Sequence, residues 1–158
     1  MTENANTYLL STVDLGTPYD IHPVYKNELG KRAANIALEF IYQAGVTDSL
    51  SYIPVSATKS GDTITLSFES GKTVVAYGAL IGFKVENDQG VLVDVQATVV
   101  NNQVVINFTG NAVKVYYMYV KTQAGVFNDQ LSYYIGQPTL YGGNGLPVGP
   151  FAIAVENA

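Results

Sequence analysis

The sequence predicts a mainly β protein: an antiparallel β-sandwich, either immunoglobulin-like or jelly-roll-like, preceded by a strand, a loop and a helix. Three observations lead to this fold class. From about residue 50 onward, apolar and polar residues alternate with a period of two, which is typical of strands. Turn-forming residues separate these stretches at regular intervals. Before them, one stretch has the three- and four-residue spacing of a helix. We therefore expect two parts, residues 1–46 and a β-sandwich domain at residues 50–158.

The first part begins with an apolar run at residues 8–13, which predicts a strand that ends before Pro18. At residues 23–44 the apolar positions recur every three or four residues, which predicts an amphipathic helix with Gly45 as its C-terminal cap. An unpaired strand edge and an apolar helix face both need cover. We therefore expect either a homo-oligomer or a partner chain that covers residues 8–44.

The alternating region predicts six strands, at residues 52–58, 63–68, 79–86, 91–100, 103–108 and 113–120. In the second of them, Ile64, Leu66 and Phe68 point to one face and the hydroxyl residues to the other, which indicates a sheet with one solvated face. Residues 125–149 are rich in glycine, proline and tyrosine and predict an irregular loop. Residues 151–153 should then return to the sheet.

Composition argues against several classes of partner. The formal net charge is -5 and only 13% of the residues are charged, so the basic surface that nucleic acid requires is missing and we expect no nucleic acid. No apolar run reaches the roughly 18 residues of a membrane helix, so we expect no membrane contact. The polar start at residues 1–4 does not read as a signal peptide. There is no cysteine, and the acidic residues of the β region do not form a ligand cluster, so no metal site is predicted.

The candidate catalytic residues lie in the loop before the helix. His22 is the only histidine of the sequence, and Asp20 precedes it by two positions. An imidazole titrates near neutral pH, and a nearby carboxylate can fix its tautomer and stabilise the imidazolium, so this pair suits acid–base catalysis. A surface histidine or one that caps the helix is the alternative that spacing alone leaves open.

The residues around His22 resemble a known family. The resemblance is carried by Asp14-Leu15-Gly16, Asp20-Ile21-His22-Pro23, Lys26, Glu28, Gly30 and Arg32. Together they resemble the catalytic-histidine block of bacterial sialate O-acetylesterases, SGNH-type hydrolases that remove acetyl esters from sialic acids and related sugars. The segment Asn144-Gly145-Leu146-Pro147-Val148-Gly149-Pro150-Phe151 is similar to the closing motif of that family. The resemblance spans residues 6–151.

The resemblance implies that residues 1–46 are the last strand, the catalytic-histidine loop and a helix of an SGNH-like α/β domain. His22 would be the general base and Asp20 its orienting acid, although the general SGNH pattern places that acid at the position of Tyr19. The nucleophilic serine of the family lies upstream in a Gly-Asp-Ser block, and no Gly-Asp-Ser occurs in these 158 residues. The chain would thus be the C-terminal fragment of an esterase, inactive alone, acting on acetylated carbohydrate in the complete enzyme.

The resemblance implies no cofactor, and it implies an extracellular or periplasmic location if this chain follows its family. Two functions of other classes stay open. The chain could be a structural or interaction module that assembles with itself or docks on a partner. It could also be an accessory carbohydrate-binding module, because exposed tyrosines beside polar side chains suit sugars. The residues that would form this surface are Tyr133, Tyr134, Gln137, Tyr141 and Asn144.

Overall fold

The computed structural model describes residues 6–16, residue 22, residues 25–118 and residues 138–158. Within this part of the chain it contains one helix and eleven strands. These are α1 (Lys26–Phe40), β1 (Ser56–Ser60), β2 (Thr63–Ser67), β3 (Val74–Ala76), β4 (Phe83–Asn87), β5 (Leu92–Asp94), β6 (Ala97–Val100), β7 (Gln103–Asn107), β8 (Ala112–Tyr117), β9 (Leu140–Gly142), β10 (Phe151–Ala154) and β11 (Glu156–Asn157).

The strands form two main sheets and a short ribbon. The larger sheet has five strands in the order β11-β1-β2-β7-β6, and the second has four in the order β10-β8-β4-β5. Strands β3 and β9 form a separate two-stranded ribbon. Only the β1–β11 pair is parallel among the described strands, and the other pairs are antiparallel.

The tight turns follow from residues that tolerate positive φ. Between β1 and β2 the turn contains Gly61, whose φ is 57°. Between β6 and β7 the turn consists of Asn101 and Asn102, with φ values of 49° and 62°. Positive φ at both central residues gives the turn a twist that matches that of the flanking strands. These turns fix the register of β1 on β2 and of β6 on β7.

The core lies between the two main sheets. The five-stranded sheet contributes aliphatic side chains that are fully or almost fully buried: Ala57, Ile64, Leu66, Val104 and Ile106. The four-stranded sheet contributes Phe83, Val85, Val115, Tyr117 and Phe151. The rings of Phe83 and Tyr117 have their centroids 4.6 Å apart. Because two mainly antiparallel sheets pack on one shared apolar core, the predicted β-sandwich-like fold is confirmed.

Several strands differ from their predicted positions. The apolar run at residues 91–100 is two strands, β5 and β6, which belong to different sheets. The predicted strand at 52–58 begins later, at Ser56, and the one at 79–86 begins at Phe83. Strand β3 was not predicted. Strand β9 lies inside the segment that was expected to be an irregular loop, and residues 119–137 of the predicted strand and loop lie outside the described residues.

Residues 8–13 have no strand pairing within the described residues and residues 13–15 form a turn, so a strand that pairs with a sheet outside this chain stays a prediction. A strand needs the backbone of a neighbouring strand, and within the described residues none lies beside this segment. Instead the segment packs on α1 and the sandwich. The ring of Tyr8 stacks on that of Phe40 with centroids 4.3 Å apart, Leu15 is buried, and Val13 contacts the core.

Helix α1 is shorter than the predicted helix at residues 23–44. It ends at Phe40, and the amide of Tyr42 then returns to the carbonyl of Ala37 at 3.0 Å. Gln43 is the first residue after the helix that has a positive φ, and Gly45 is the second. The predicted cap position at Gly45 is therefore wrong by two residues. No helix among the described residues is long and apolar enough to span a bilayer.

Candidate functional site

His22 is exposed to solvent. Asp20, the other predicted catalytic residue, lies outside the described residues, as do Tyr19 and Pro23. The geometry of the predicted Asp20–His22 pair is therefore not described, and the assignment of these two residues stays a prediction. What the structure does describe is how the chain is held on either side of His22.

A buried ion pair joins the two sides of this segment. Arg32 on α1 donates from Nη1 to Asp14 Oδ1 at 2.7 Å and from Nη2 to Asp14 Oδ2 at 2.6 Å. Arg32 Nη1 also donates to the carbonyl of Ser11 at 3.1 Å. Arg32 is only 6% exposed. The planar guanidinium thus meets the carboxylate in the two-bond geometry that makes arginine–carboxylate pairs strong.

The electrostatics of Arg32 are set by this carboxylate. The hydrogen bonds to Asp14 raise the pKa of Arg32, burial works in the opposite direction, and the negative charge of Asp14 raises the pKa further. Glu28, one turn earlier on α1, adds a weaker contact, with its Oε1 4.0 Å from Arg32 Nε. The guanidinium is therefore held in its charged form inside the protein.

One tyrosine of the β3–β9 ribbon is close enough to the ion pair for its charges to affect the tyrosine pKa. Tyr141 on β9 has a raised pKa, mainly because it is desolvated, with the charge of Asp14 adding to the rise and that of Arg32 opposing it. Its ring meets the ring of Tyr77 edge to face, with centroids 5.3 Å apart. Tyr77 is largely exposed. The charges of the ion pair thus influence a side chain of the ribbon in the β-sandwich domain.

A second polar network connects the end of α1 with the start of the sandwich. Glu39 accepts hydrogen bonds from the backbone amides of Asp48 at 3.1 Å and Ser49 at 2.8 Å. The side-chain amide of Asn144 donates to the carbonyls of Asp48 and Leu50, both at 2.9 Å. Both amide hydrogens of Asn144 are thereby used inside the protein. This residue of the predicted sugar-binding surface therefore has a structural role here.

Asp48 is the centre of that network. The hydroxyl of Tyr52 donates to Asp48 Oδ2 at 2.5 Å, and Lys72 Nζ donates to Asp48 Oδ1. Burial alone would raise the pKa of Asp48, but the hydrogen bonds from Lys72 and Tyr52 outweigh it and the pKa is lowered. The same contact, together with desolvation as the larger cause, raises the pKa of Tyr52 to about 12.

A cleft of about 330 Å³ lies where these networks meet. Its walls are Arg32, Asn35, Val46, Thr47, Asp48, Ser49, Asn144 and Leu146. The charged groups in these walls, Arg32 and Asp48, are already paired with Asp14 and with Lys72. His22 is not among the lining residues. Because its charges are already satisfied, we assign the cleft no ligand.

Within the described residues, no group of three or more histidine, aspartate or glutamate side chains is placed to hold a metal ion. The other members of the predicted sugar-binding surface, Tyr133, Tyr134 and Gln137, lie outside the described residues. Tyr141 is half-buried in strand β9. The described part of the chain thus does not assemble that surface.

Comparison with known proteins gives one informative result. No family model matches the sequence, and no curated protein matches it. The structure is similar to the crystal structure of a novel carbohydrate acetylesterase from Xanthomonas citri, with a TM-score of 0.70 and 24% sequence identity. The match covers 88% of this chain and 30% of that one. This chain has the fold of part of that enzyme. It spans less than a third of the enzyme's length, and at this identity the likeness concerns the fold alone.

Reasoning from the sequence missed the Arg32–Asp14 pair, although both residues belong to the stretch that carries the family resemblance. The two residues are 18 positions apart, so no local helix or strand spacing brings them together. One feature of the sequence could have indicated this ion pair. Arg32 is the only arginine of the sequence and lies on the same helix as the apolar positions expected to be buried, and a buried arginine requires an acidic partner.

Proposed function

We propose that this chain is the histidine-bearing part of a carbohydrate acetylesterase whose nucleophilic serine lies outside residues 1–158. The observation that carries the proposal is the fold likeness to a carbohydrate acetylesterase, which extends over 88% of this chain. It is joined by the exposure of His22, the one imidazole in the sequence. An exposed imidazole is accessible to a serine hydroxyl and to an ester in a way that a buried one is not.

The proposed chemistry has His22 take up and release a proton twice, once in each half of the reaction. In the first half of the reaction it takes the proton of the serine hydroxyl while the serine oxygen attacks the acetyl carbonyl. It then gives that proton to the sugar oxygen, which leaves as the deacetylated alcohol. In the second half His22 takes a proton from water, which attacks the acetyl-enzyme, and returns the proton to the serine as acetate leaves. Asp20 would orient the imidazole and stabilise its charged form.

Exposed apolar side chains in residues 8–44 support the proposal that a second part of the enzyme packs here. Four large apolar side chains there are well exposed: Leu9, Tyr25, Ile41 and Tyr42. Of the residues on α1, only Arg32 and Ile36 are buried. Exposed apolar side chains such as these would gain from burial against a second part of the protein. In the proposed enzyme this segment packs against the α/β part that carries the serine, which would bring the serine to His22.

We propose an acetylated carbohydrate as substrate, with sialic acid as the narrower candidate from the family resemblance. The described residues do not favour sialic acid in particular, since recognition of its carboxylate calls for a cation and arginine is the best suited. The only arginine of this sequence is already bound to Asp14. Selection of a sialate would therefore depend on residues of the serine-bearing part.

The proposal is tested by expressing the gene together with the reading frame immediately upstream, and by measuring acetate release from acetylated xylan and from O-acetylated sialic acid. We expect a Gly-Asp-Ser block upstream, acetate release by the assembled protein, and none above background from residues 1–158 alone. Equal molar rates for the short chain and the assembled protein would overturn the proposal. So would an assembled protein that releases no acetate from either substrate.

A further inference from the structure

We propose that Glu39 is an acid-sensitive link between α1 and the β-sandwich. Its carboxylate ties the end of the helix to residues 48–49, and protonation of this carboxylate releases that end of the helix while the sandwich stays folded. The inference concerns the conformation of the chain and goes beyond the proposed esterase reaction. It does not depend on that reaction.

The link consists of one carboxylate and two backbone amides. Glu39 is the last residue but one of α1, and its two carboxylate oxygens accept hydrogen bonds from the amides of Asp48 at 3.1 Å and Ser49 at 2.8 Å. Hydrogen bonds from amides to a charged carboxylate are stronger than those to a neutral acceptor. A protonated carboxyl group has lost its charge, and one of its oxygens carries a hydrogen that is itself a donor. Protonation therefore weakens both bonds.

Residues 48–50 are attached to the sandwich by other contacts. The side-chain amide of Asn144 donates to two of their carbonyls, both at 2.9 Å, and the carboxylate of Asp48 accepts hydrogen bonds from Tyr52 and Lys72. The amide of Asn144 is neutral and does not titrate, so its two bonds persist in acid. Loss of the bonds to the α1 carboxylate therefore separates the helix from residues 48–49, and these residues stay on the sandwich.

Helix α1 has few contacts with the strands. Among the described elements, all the extensive contacts are between strands, and α1 takes part in none of them. The cleft of about 330 Å³ has Arg32 and Asn35 of α1 and residues 46–49 in its walls, so packing is incomplete on this side of the helix. An isolated helix of 15 residues is marginal in water. The end of α1 should therefore fray once the link opens.

The charge of Glu39 decides the direction of the pH effect. Burial raises the pKa of Glu39, but hydrogen bonds from Ser49 and from the amide of Asp48 outweigh it, and the pKa is lowered. Asp48 is the charged group that faces Glu39, and its negative charge opposes the lowering. An unfolded glutamate has a pKa of about 4.3. The link is therefore fully present above about pH 4.3 and is lost as the pH falls through the lower pKa of the folded chain.

The core of the sandwich has no comparable acid-sensitive contact. In the described part of the chain its buried residues are apolar or aromatic, and no aspartate or glutamate is buried. Acid acts on a folded protein mainly through carboxylates that are paired or hydrogen-bonded. Acid that opens the Glu39 link should therefore leave the core intact.

The test is amide hydrogen exchange of residues 1–158, followed by NMR at about pH 6 and about pH 3 and expressed relative to the intrinsic exchange rate at each pH. We expect protection of the amides of Asp48 and Ser49 to fall by about 10-fold at the lower pH, as for the loss of a hydrogen bond to a charged group. The amides that pair β2 with β7 should keep their protection.

One variant assigns the effect to Glu39. Glu39→Gln imitates the protonated side chain, so it should lower the protection of the two amides at the higher pH and remove most of its pH dependence. Glu86→Gln is the matched control, because Glu86 accepts a hydrogen bond from the hydroxyl of Tyr116 at 2.5 Å within the sandwich. This control should leave the two amides as they are in the wild type.

Three results would overturn the inference. The first is protection of the two amides that is the same at both pH values in the wild type. The second is an equal pH dependence in Glu39→Gln and the wild type. The third is a parallel loss of protection in β2 and β7, since acid would then unfold the chain as a whole. The first and third need only the wild type and decide the matter if Glu39→Gln does not fold. Acetate release is not measured here, so each of these results leaves the proposed function intact.

Discussion

At the scale of single residues, the ion pairs Arg32–Asp14 and Lys84–Asp94 have similar distances but differ in their exposure to solvent. Arg32 and Asp14 are both nearly inaccessible, whereas Asp94, the partner of Lys84, has a side chain that is 69% exposed. Removing one member of a buried pair leaves an uncompensated charge in a poorly solvated place. Removing Lys84, whose own side chain is 12% exposed, would leave the charge of Asp94, which water can solvate. The two sites should therefore respond very differently to the same substitution.

We predict that Asp14→Ala lowers the free energy of unfolding by about 3 kcal/mol, as is typical when a buried pair loses one partner. Lys84→Met is the matched control, because it leaves Asp94 with a side chain that is 69% exposed, and it should lower the free energy of unfolding by less than about 1 kcal/mol. Urea unfolding followed by circular dichroism measures both values. Equal effects of the two substitutions would show that burial of the Arg32 guanidinium does not matter for stability.

Tyr52 gives a prediction on pH. Its pKa is raised to about 12 by desolvation and by its hydrogen bond to Asp48, whereas an unfolded tyrosine has a pKa of about 10. Between these values the unfolded chain has lost the proton that the folded chain keeps. Stability should therefore be complete below about pH 10 and should fall, by up to about 1.4 kcal/mol per pH unit, as the pH rises to about 12.

The test is a series of urea unfolding curves from pH 9 to about pH 12. Tyr52→Phe should weaken the alkaline loss without abolishing it, because desolvation also raises the pKa of Tyr117. Tyr25→Phe is the control, since this ring is exposed in the folded chain. If Tyr52→Phe and the wild type lost stability in parallel, the assigned role of Tyr52 would be wrong.

At the scale of elements, the sequence predicts best where local pattern and packing agree. The alternation of Ile64 and Leu66 with threonines predicts β2, and both aliphatic side chains are fully buried. The run at residues 91–100 shows the opposite case. It is one apolar stretch, yet the chain leaves one sheet after Asp94 and joins the other at Ala97. When the chain passes from one sheet to the other, the period-two alternation of apolar and polar residues does not change.

The β3–β9 ribbon could not be predicted for a different reason. Its pairing joins Val75 to Tyr141, which are far apart in the chain, and β9 lies in a stretch rich in glycine. Glycine weakens the local preference for a strand. Here it is required by close packing, since a Cβ at Gly142 would lie 2.6 Å from Asn144 Oδ1 and 2.7 Å from Tyr52 Cδ2. Tertiary contacts therefore decide this element.

We predict opposite outcomes for two glycine-to-alanine substitutions. Gly142→Ala should lower the free energy of unfolding by about 1–3 kcal/mol, because its methyl group collides with Asn144 and Tyr52. Gly30→Ala, in the exposed middle of α1 with no atom within 4 Å of the added Cβ, should raise it by about 0.5–1 kcal/mol. Thermal and urea unfolding measure both. A stabilising Gly142→Ala would contradict the close packing of β9.

At the scale of the whole molecule, the sandwich has a closed core, and the described part of residues 8–44 contacts it through Val13 and through the hydrogen bonds of Glu39 to the amides of Asp48 and Ser49. The sequence indicated this contrast, because the apolar face of the predicted helix had no evident cover. The structure buries Ile36 of that face and leaves Ala33 and Ile41 exposed. An enzyme part that completes its active site with a second part would present such a surface.

The sequence singles out the candidate catalytic residue by its type, and the role of His22 stays a prediction. The residue types alone single out His22, since one imidazole beside a carboxylate suits acid–base catalysis. The ion pair of Asp14 and Arg32 depends on how a turn packs on a helix, and that packing follows from the fold of the chain as a whole. Sequence patterns describe neighbours along the chain, and this contact joins neighbours in space.

The most direct measurement of the central claim is the rate of acetate release by the assembled enzyme with and without the imidazole. We predict that His22→Ala lowers kcat by about 10⁴-fold, as expected when a catalytic triad loses a member. Lys84→Met, which changes an ion pair in the sandwich, should leave the rate unchanged. A His22→Ala enzyme that releases acetate as fast as the wild type would contradict the account.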